Sequence, residues 1–173
     1  MRHRGAPHHP LPTCVCRLTY TYILVMNNTV SGPGVYSTMT VHFLNGKFVS
    51  EEELLISPRD IGFSRGYAVF DFLKTYPHHR PFKLAEHLRR LYNSARLIGL
   101  SLPWKEEEVC RWVTQTLAAN PIGEEKFIKI IVSGGVSDTM RPAANPSLII
   151  LVDPAVQYPR ECYENGVGVI TVK

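Results

Sequence analysis

The sequence predicts an α+β domain, and three observations carry that prediction. Asn45-Gly46 sits between two short apolar-rich runs, the signature of a two-residue hairpin turn whose central positions favour positive φ. Residues 67–76 form a run rich in aromatic and branched side chains that leads, through a turn around Pro77, into an amphipathic helical pattern. A second helical stretch and two further strand-like runs complete the set.

Taken in order, residues 41–49 read as the hairpin, followed by an acidic triplet, Glu51-Glu52-Glu53, expected on a solvated face. Residues 57–66 are turn-rich, punctuated by Pro58, Asp60, Gly62 and Gly66. The strand at 67–76 carries Tyr67, Val69, Phe70, Phe72, Leu73, Thr75 and Tyr76, interrupted by Asp71 and Lys74. After the turn at 77–80, Leu84, Leu88, Leu91, Ala95 and Ile98 recur at spacings of four and three, which predicts a helix with one apolar face. Glu86, Arg89, Asn93 and Arg96 lie on the opposite side, and Gly99 is a natural helix terminator. A second helix is expected over 105–119, with Glu106, Glu107 and Glu108 in its first turn, where the helix dipole favours negative charge. Its inner face is Val109, Trp112, Val113, Thr116 and Leu117, and Asn120-Pro121 ends it. Residues 127–132 and 148–152 read as strands joined by a loop beginning Ser133-Gly134-Gly135, whose glycines permit close backbone approach. Residues 153–164 read as an interdomain linker and 166–172 as one further strand.

Bulk properties narrow the function classes. A chain of 173 residues with 45% hydrophobic and 20% charged residues can bury a core without metals or disulfides. No apolar run approaches a membrane span. Most of the net charge of +4 resides in residues 1–38, which hold Arg2, Arg4 and Arg17 but no acidic residue or lysine. The remainder is close to neutral, which argues against nucleic acid as a partner. Cys14, Cys16, Cys110 and Cys162 lack the spacing of a zinc site or a disulfide framework, so reduced thiols and a cytoplasmic setting are the expectation. Residues 1–38 admit three readings: an organelle transit peptide, a secretory signal, or sequence upstream of a true start at Met39, which is favoured.

Arg90 lies about a third of a turn off the apolar stripe of the first helix. Solvated placement is the ordinary expectation for such a residue. A guanidinium on a rigid helix beside a strand can instead grip a phosphate through parallel hydrogen bonds. The run GFSRGYAVFDFLKTY, followed by PFKLAEHLRRLYNSARLIGL, resembles the amino-terminal part of the class IV, or fold type IV, pyridoxal-phosphate enzymes. These are the branched-chain aminotransferases, the D-amino-acid transaminases and the aminodeoxychorismate lyases. The matching positions are Val69, Phe70, Asp71, Lys74 and Tyr76, then Phe82, Glu86, His87, Arg90, Leu91, Ser94 and Ala95, and the likeness extends over about 41–173.

The resemblance implies a small amino-terminal domain, an antiparallel sheet with two helices packed on it, over 39–153. Residues 154–173 would be the linker and the first strand of a large domain. It implies pyridoxal 5′-phosphate as cofactor, Arg90 as the phosphate-side arginine, and Phe70, Phe72 and Lys74 as residues lining or closing the substrate pocket. Phe72 stands where branched-chain enzymes often have glycine, which weighs against that specificity. Arg141, in the loop after the glycines, is the candidate for a substrate-carboxylate arginine. The Schiff-base lysine of the family is expected beyond Lys173, so no catalytic residue and no metal ligand is assigned. The implied activity is amino-group transfer between an amino acid and a 2-oxo acid, in a homodimer. A lyase of the aminodeoxychorismate type and a catalytically inactive binding or interaction module are the alternatives.

Overall fold

Asn45 and Gly46 adopt φ of +47° and +92°, and the turn they make returns β1 (Val41–Leu44) as β2 (Lys47–Ser50). The computed structural model describes residues 40–123 and 125–169. The expectations for residues 1–38 lie outside these. A short helix, α1 (Ile61–Arg65), precedes β3 (Ala68–Tyr76). After the two-residue β4 (Arg80–Pro81) come α2 (Leu84–Leu97), α3 (Glu106–Ala118), β5 (Lys126–Ser133), β6 (Ser147–Pro154) and α4 (Arg160–Glu164). The strands form one six-stranded sheet in the order β2-β1-β6-β5-β3-β4, antiparallel at every pairing.

Both long helices cover one face of that sheet. From the strands come Phe43, Leu73, Ile128, Ile130, Ile150 and Val152. From α2 come Leu84, Leu88, Leu91 and Ala95, and from α3 Val109, Val113 and Leu117. Trp112 stacks on Phe43 at 5.2 Å between ring centroids and meets Trp104 edge-on. Because side chains alternate along a strand, β3 divides cleanly. Asp71, Leu73 and Thr75 are buried, while Phe70, Phe72 and Tyr76 are exposed.

The end of α2 corrects one expectation. Ile98 is exposed, and Leu100 takes the buried place instead. Gly99 turns at φ +73°. The Leu100 N–H donates to the Ala95 carbonyl at 2.9 Å and the Gly99 N–H to the Arg96 carbonyl at 3.1 Å, the paired bonds of a Schellman termination. The turn carries the chain away from the helix and drops Leu100 onto Ala95. At the start of α3, Glu108 accepts the Lys105 N–H at 2.9 Å, satisfying a donor that the helix leaves open.

Three further expectations change. The turn-rich segment at 57–66 contains α1, nucleated by Asp60, whose side chain accepts the Gly62 N–H at 2.8 Å. The segment expected as linker is partly ordered, since β6 continues to Pro154 and α4 follows. Within the strand expected at 166–172, residues 166–169 form no strand, and 170–172 fall outside the described residues.

Candidate functional site

The site is built where α2 crosses β3. The outer edge of β3 pairs with β4 only at Thr75 and Tyr76, so among the described residues the rest of that edge has no strand partner. The Phe72 N–H is satisfied there by the Asp71 carboxylate, at 2.8 Å from Oδ1. The same carboxylate collects three donors from α2. Arg90 Nε donates to Oδ2 at 2.8 Å, Arg90 Nη2 donates to Oδ1 at 2.7 Å, and His87 Nδ1 lies 2.7 Å from Oδ1. Asp71 is 1% exposed and the Arg90 side chain 65%. Burial by itself would raise the Asp71 carboxyl, but the Arg90 fork and then His87 outweigh it and hold it below the usual carboxylate range. The carboxylate in turn raises Arg90.

This arrangement decides how Arg90 can act. Its fork on the Nε side is committed to Asp71, and the remaining N–H groups, on Nη1 and the outer side of Nη2, stay unengaged by Asp71 on a largely exposed side chain. A guanidinium so held is a fixed donor edge suited to a phosphate oxygen. The donor set therefore fits the phosphate of pyridoxal 5′-phosphate on one side.

Phe70, Phe72 and Lys74 are brought together on the opposite, open face of the sheet. Lys129 Nζ lies over the Phe70 ring at 4.6 Å, and Phe72 packs against Phe127 with centroids 5.0 Å apart. Lys74 Nζ pairs with Glu125 at 2.5 Å. That bond raises Lys74 and lowers Glu125. Arg141 is not brought to this cluster by any contact among the described residues. It is exposed in the 134–146 loop, where its N–H donates to Thr139 Oγ1 at 3.1 Å.

Asp60 was legible in the sequence only as turn punctuation, and its second role was missed. It is buried, and Oδ2 accepts from Ser133 Oγ at 2.7 Å and Ser147 Oγ at 3.0 Å. Those serines face each other in the β5–β6 register, so one oxygen clamps both ends of the 134–146 loop. The loop glycines approach the chain itself. A Cβ at Gly134 would meet Ile61 Cδ1 at 2.6 Å, and one at Gly135, where φ is +76°, would meet the Asn145 carbonyl oxygen at 2.4 Å.

An antiparallel sheet with few helices matches the amino-terminal domain of the fold type IV aminotransferases. A branched-chain aminotransferase from Thermoproteus uzoniensis, solved with norvaline, superimposes with a TM-score of 0.64 at 26% identity, over 70% of this chain and 43% of that one. The description of the amino-transferase class IV family matches residues 68–172, and the chain belongs to that family. A Methanocaldococcus jannaschii protein provisionally named a branched-chain-amino-acid aminotransferase is 33% identical over 75% of this chain and 44% of its own length. A D-alanine aminotransferase of Staphylococcus aureus is 31% identical over 76% of this chain and 47% of its own. The chain thus spans a little under half the length of these relatives. Among the described residues, no helix is long and apolar enough to cross a membrane.

Proposed function

We propose that the chain supplies one wall of a pyridoxal 5′-phosphate site in an enzyme that moves an amino group between an amino acid and a 2-oxo acid. The family is pyridoxal-phosphate-dependent, and the bound cofactor supplies the carbonyl carbon that accepts and returns the amino group. The single observation carrying the reading is the Arg90 guanidinium, anchored by two bonds to buried Asp71 with its outer N–H groups unengaged by that carboxylate. Arg90 holds the phosphate. Phe70 and Phe72 flank the substrate on the open face, and Lys74 closes over it, its charge moderated by Glu125. Arg141 receives the substrate carboxylate from the loop that Asp60 clamps.

The lysine that holds the cofactor covalently belongs, in this reading, to sequence equivalent to the part of the relatives outside the match, as does the partner of the cofactor ring nitrogen. The purified 173-residue chain is accordingly expected to show no absorbance band of a lysine-linked cofactor when mixed with pyridoxal 5′-phosphate, and a stable band would overturn this part of the reading. The working enzyme is a homodimer in the cytoplasm, the compartment in which its thiols stay reduced.

The phosphate role is tested by calorimetry. Arg90→Ala is expected to weaken binding of pyridoxal 5′-phosphate by about tenfold or more, the loss of a charge-assisted contact, with pyridoxal itself unaffected. Equal affinity of the variant and the parent for the phosphate ester would return Arg90 to a solvated surface role.

A further inference from the structure

We infer that Asp71 is a positioning residue for phosphate binding, acting through Arg90. The inference rests on the reading of Arg90 as the phosphate arginine and extends it to a residue that touches no part of the cofactor. Four donors converge on the Asp71 carboxylate: the Phe72 N–H, His87 Nδ1, and Arg90 Nε and Nη2. The first belongs to the strand itself and the others to α2. The carboxylate thus ties the helix to the unpaired edge of β3 at the residue that carries the guanidinium.

An arginine side chain has many rotamers, and a largely exposed one samples them freely. The planar fork removes that freedom. Two bonds to two oxygens fix both the position and the plane of the guanidinium. They also select the edge it offers, because the Nε edge is occupied and the Nη1 edge points away from Asp71. A free Arg90 would have to be ordered by the incoming phosphate, at the expense of affinity.

A second effect opposes this one. Asp71 is itself an anion, and through space it repels a phosphate on the far side of the guanidinium. If electrostatics dominated, removing Asp71 would tighten phosphate binding. Solvent around the exposed Arg90 screens that repulsion, whereas the loss of orientation is unscreened, so the geometry predicts weaker binding. The sign of the effect therefore separates positioning from simple charge balance. Burial also separates it from surface pairing, since Asp71 is 1% exposed.

The test uses the 173-residue chain labelled with nitrogen-15, titrated with pyridoxamine 5′-phosphate and, in parallel, pyridoxamine. The first lacks the aldehyde that would react with lysines, and the pair isolates the phosphate. The Arg90 Nε–H resonance reports the orientation directly. In the parent it is expected to be sharp and slow to exchange. Asp71→Ala is expected to broaden it and to lower affinity for the phosphate ester about fivefold, leaving the weak binding of pyridoxamine unchanged. Asp71→Glu, which restores a carboxylate, is expected to recover most of both. His87→Ala removes one donor from the carboxylate but leaves the fork intact, and should change affinity less than about twofold.

Three results would overturn the inference. One is unchanged or tighter phosphate binding in Asp71→Ala. Another is a loss in His87→Ala equal to that in Asp71→Ala, which would mean that any damage to the junction suffices. The last is an Arg90 Nε–H signal indifferent to Asp71. Should Asp71→Ala fail to fold, Arg90→Lys carries the same question, since it keeps the charge but cannot form the fork. It is expected to bind the ester about as weakly as Arg90→Ala, and binding at parental strength would remove the need for orientation. Failure of the underlying reading looks different. If Arg90→Ala binds the ester as the parent does, the phosphate lies elsewhere, whatever Asp71 contributes.

Discussion

Asp71 carries a consequence for stability as well as for binding. Its carboxyl is held below the ordinary value in the fold by Arg90 and His87. A depressed acid contributes stability above its unfolded value, about 3.9, and that contribution disappears as pH falls through the folded value. The parent should therefore lose more stability between about pH 7 and about pH 3 than Asp71→Asn does, measured by urea unfolding at each pH. At neutral pH the substitution should cost about 1–2 kcal/mol, toward the low side for charged hydrogen bonds because solvent screens the exposed Arg90. An identical pH slope in both proteins would show that the carboxyl titrates alike folded and unfolded. Gly135 gives a second residue-scale expectation. At φ +76°, with a carbonyl oxygen 2.4 Å from where Cβ would be, Gly135→Ala should cost about 2–4 kcal/mol, combining backbone strain with overpacking. Thermal melting checks it. At this scale the sequence was half legible. Asp71 stood out as a charge inside an apolar strand and Arg90 as a cation off its stripe. Their partnership was not visible, because it joins positions 19 apart across a hairpin. Asp60 was less legible still, since Ser133 and Ser147 lie 73 and 87 residues away.

The elements follow the local rules where local rules suffice. The Asn45-Gly46 hairpin, the stripe of α2 and the acidic first turn of α3 all form as their residues dictate. Periodicity overran at the end of α2, where it counted Ile98 as one more apolar position. A stripe marks which residues would face inward if the helix continued, but it does not say where the helix stops. Gly99 stops it, and the Schellman bonds bury Leu100 instead. Gly99→Ala should cost about 1 kcal/mol, since a Cβ there would find room, 3.9 Å from Tyr67 Oη, but would have to adopt φ +73°. The measurement is chemical denaturation, and no loss would mean that the turn tolerates an L-residue without strain. Helix α1 was missed for the opposite reason. Five residues including Gly62 carry too little periodicity to register, and the helix is held by Asp60 and by the Ile61 N–H on the Gly135 carbonyl at 3.0 Å.

For the molecule as a whole, the decisive asymmetry is between the two faces of one sheet. Helices α2 and α3 cover the first face, whereas on the second Phe70 is 61% and Phe72 45% exposed. A domain that kept Phe70 and Phe72 for its own stability would bury them. That they alternate along β3 with Leu73, which is 3% exposed, allows function and folding to be separated within five residues. Leu73→Ala should cost about 2–5 kcal/mol, because it leaves a cavity between β3 and α2. Phe70→Ser with Phe72→Ser should cost far less, about 1 kcal/mol or less for each, since both rings are largely exposed and their contacts with Lys129 and Phe127 lie at the surface. In the working enzyme the same pair of serines should sharply reduce amino-group transfer, as the two rings are proposed to flank the substrate. The expected pattern is a large fall in melting temperature with transfer chemistry preserved at low temperature for Leu73→Ala, and the reverse for the serine pair. If instead the serine pair unfolds the protein as severely as Leu73→Ala, the open face is structural in its own right, and the division of β3 into a folding side and a working side is wrong.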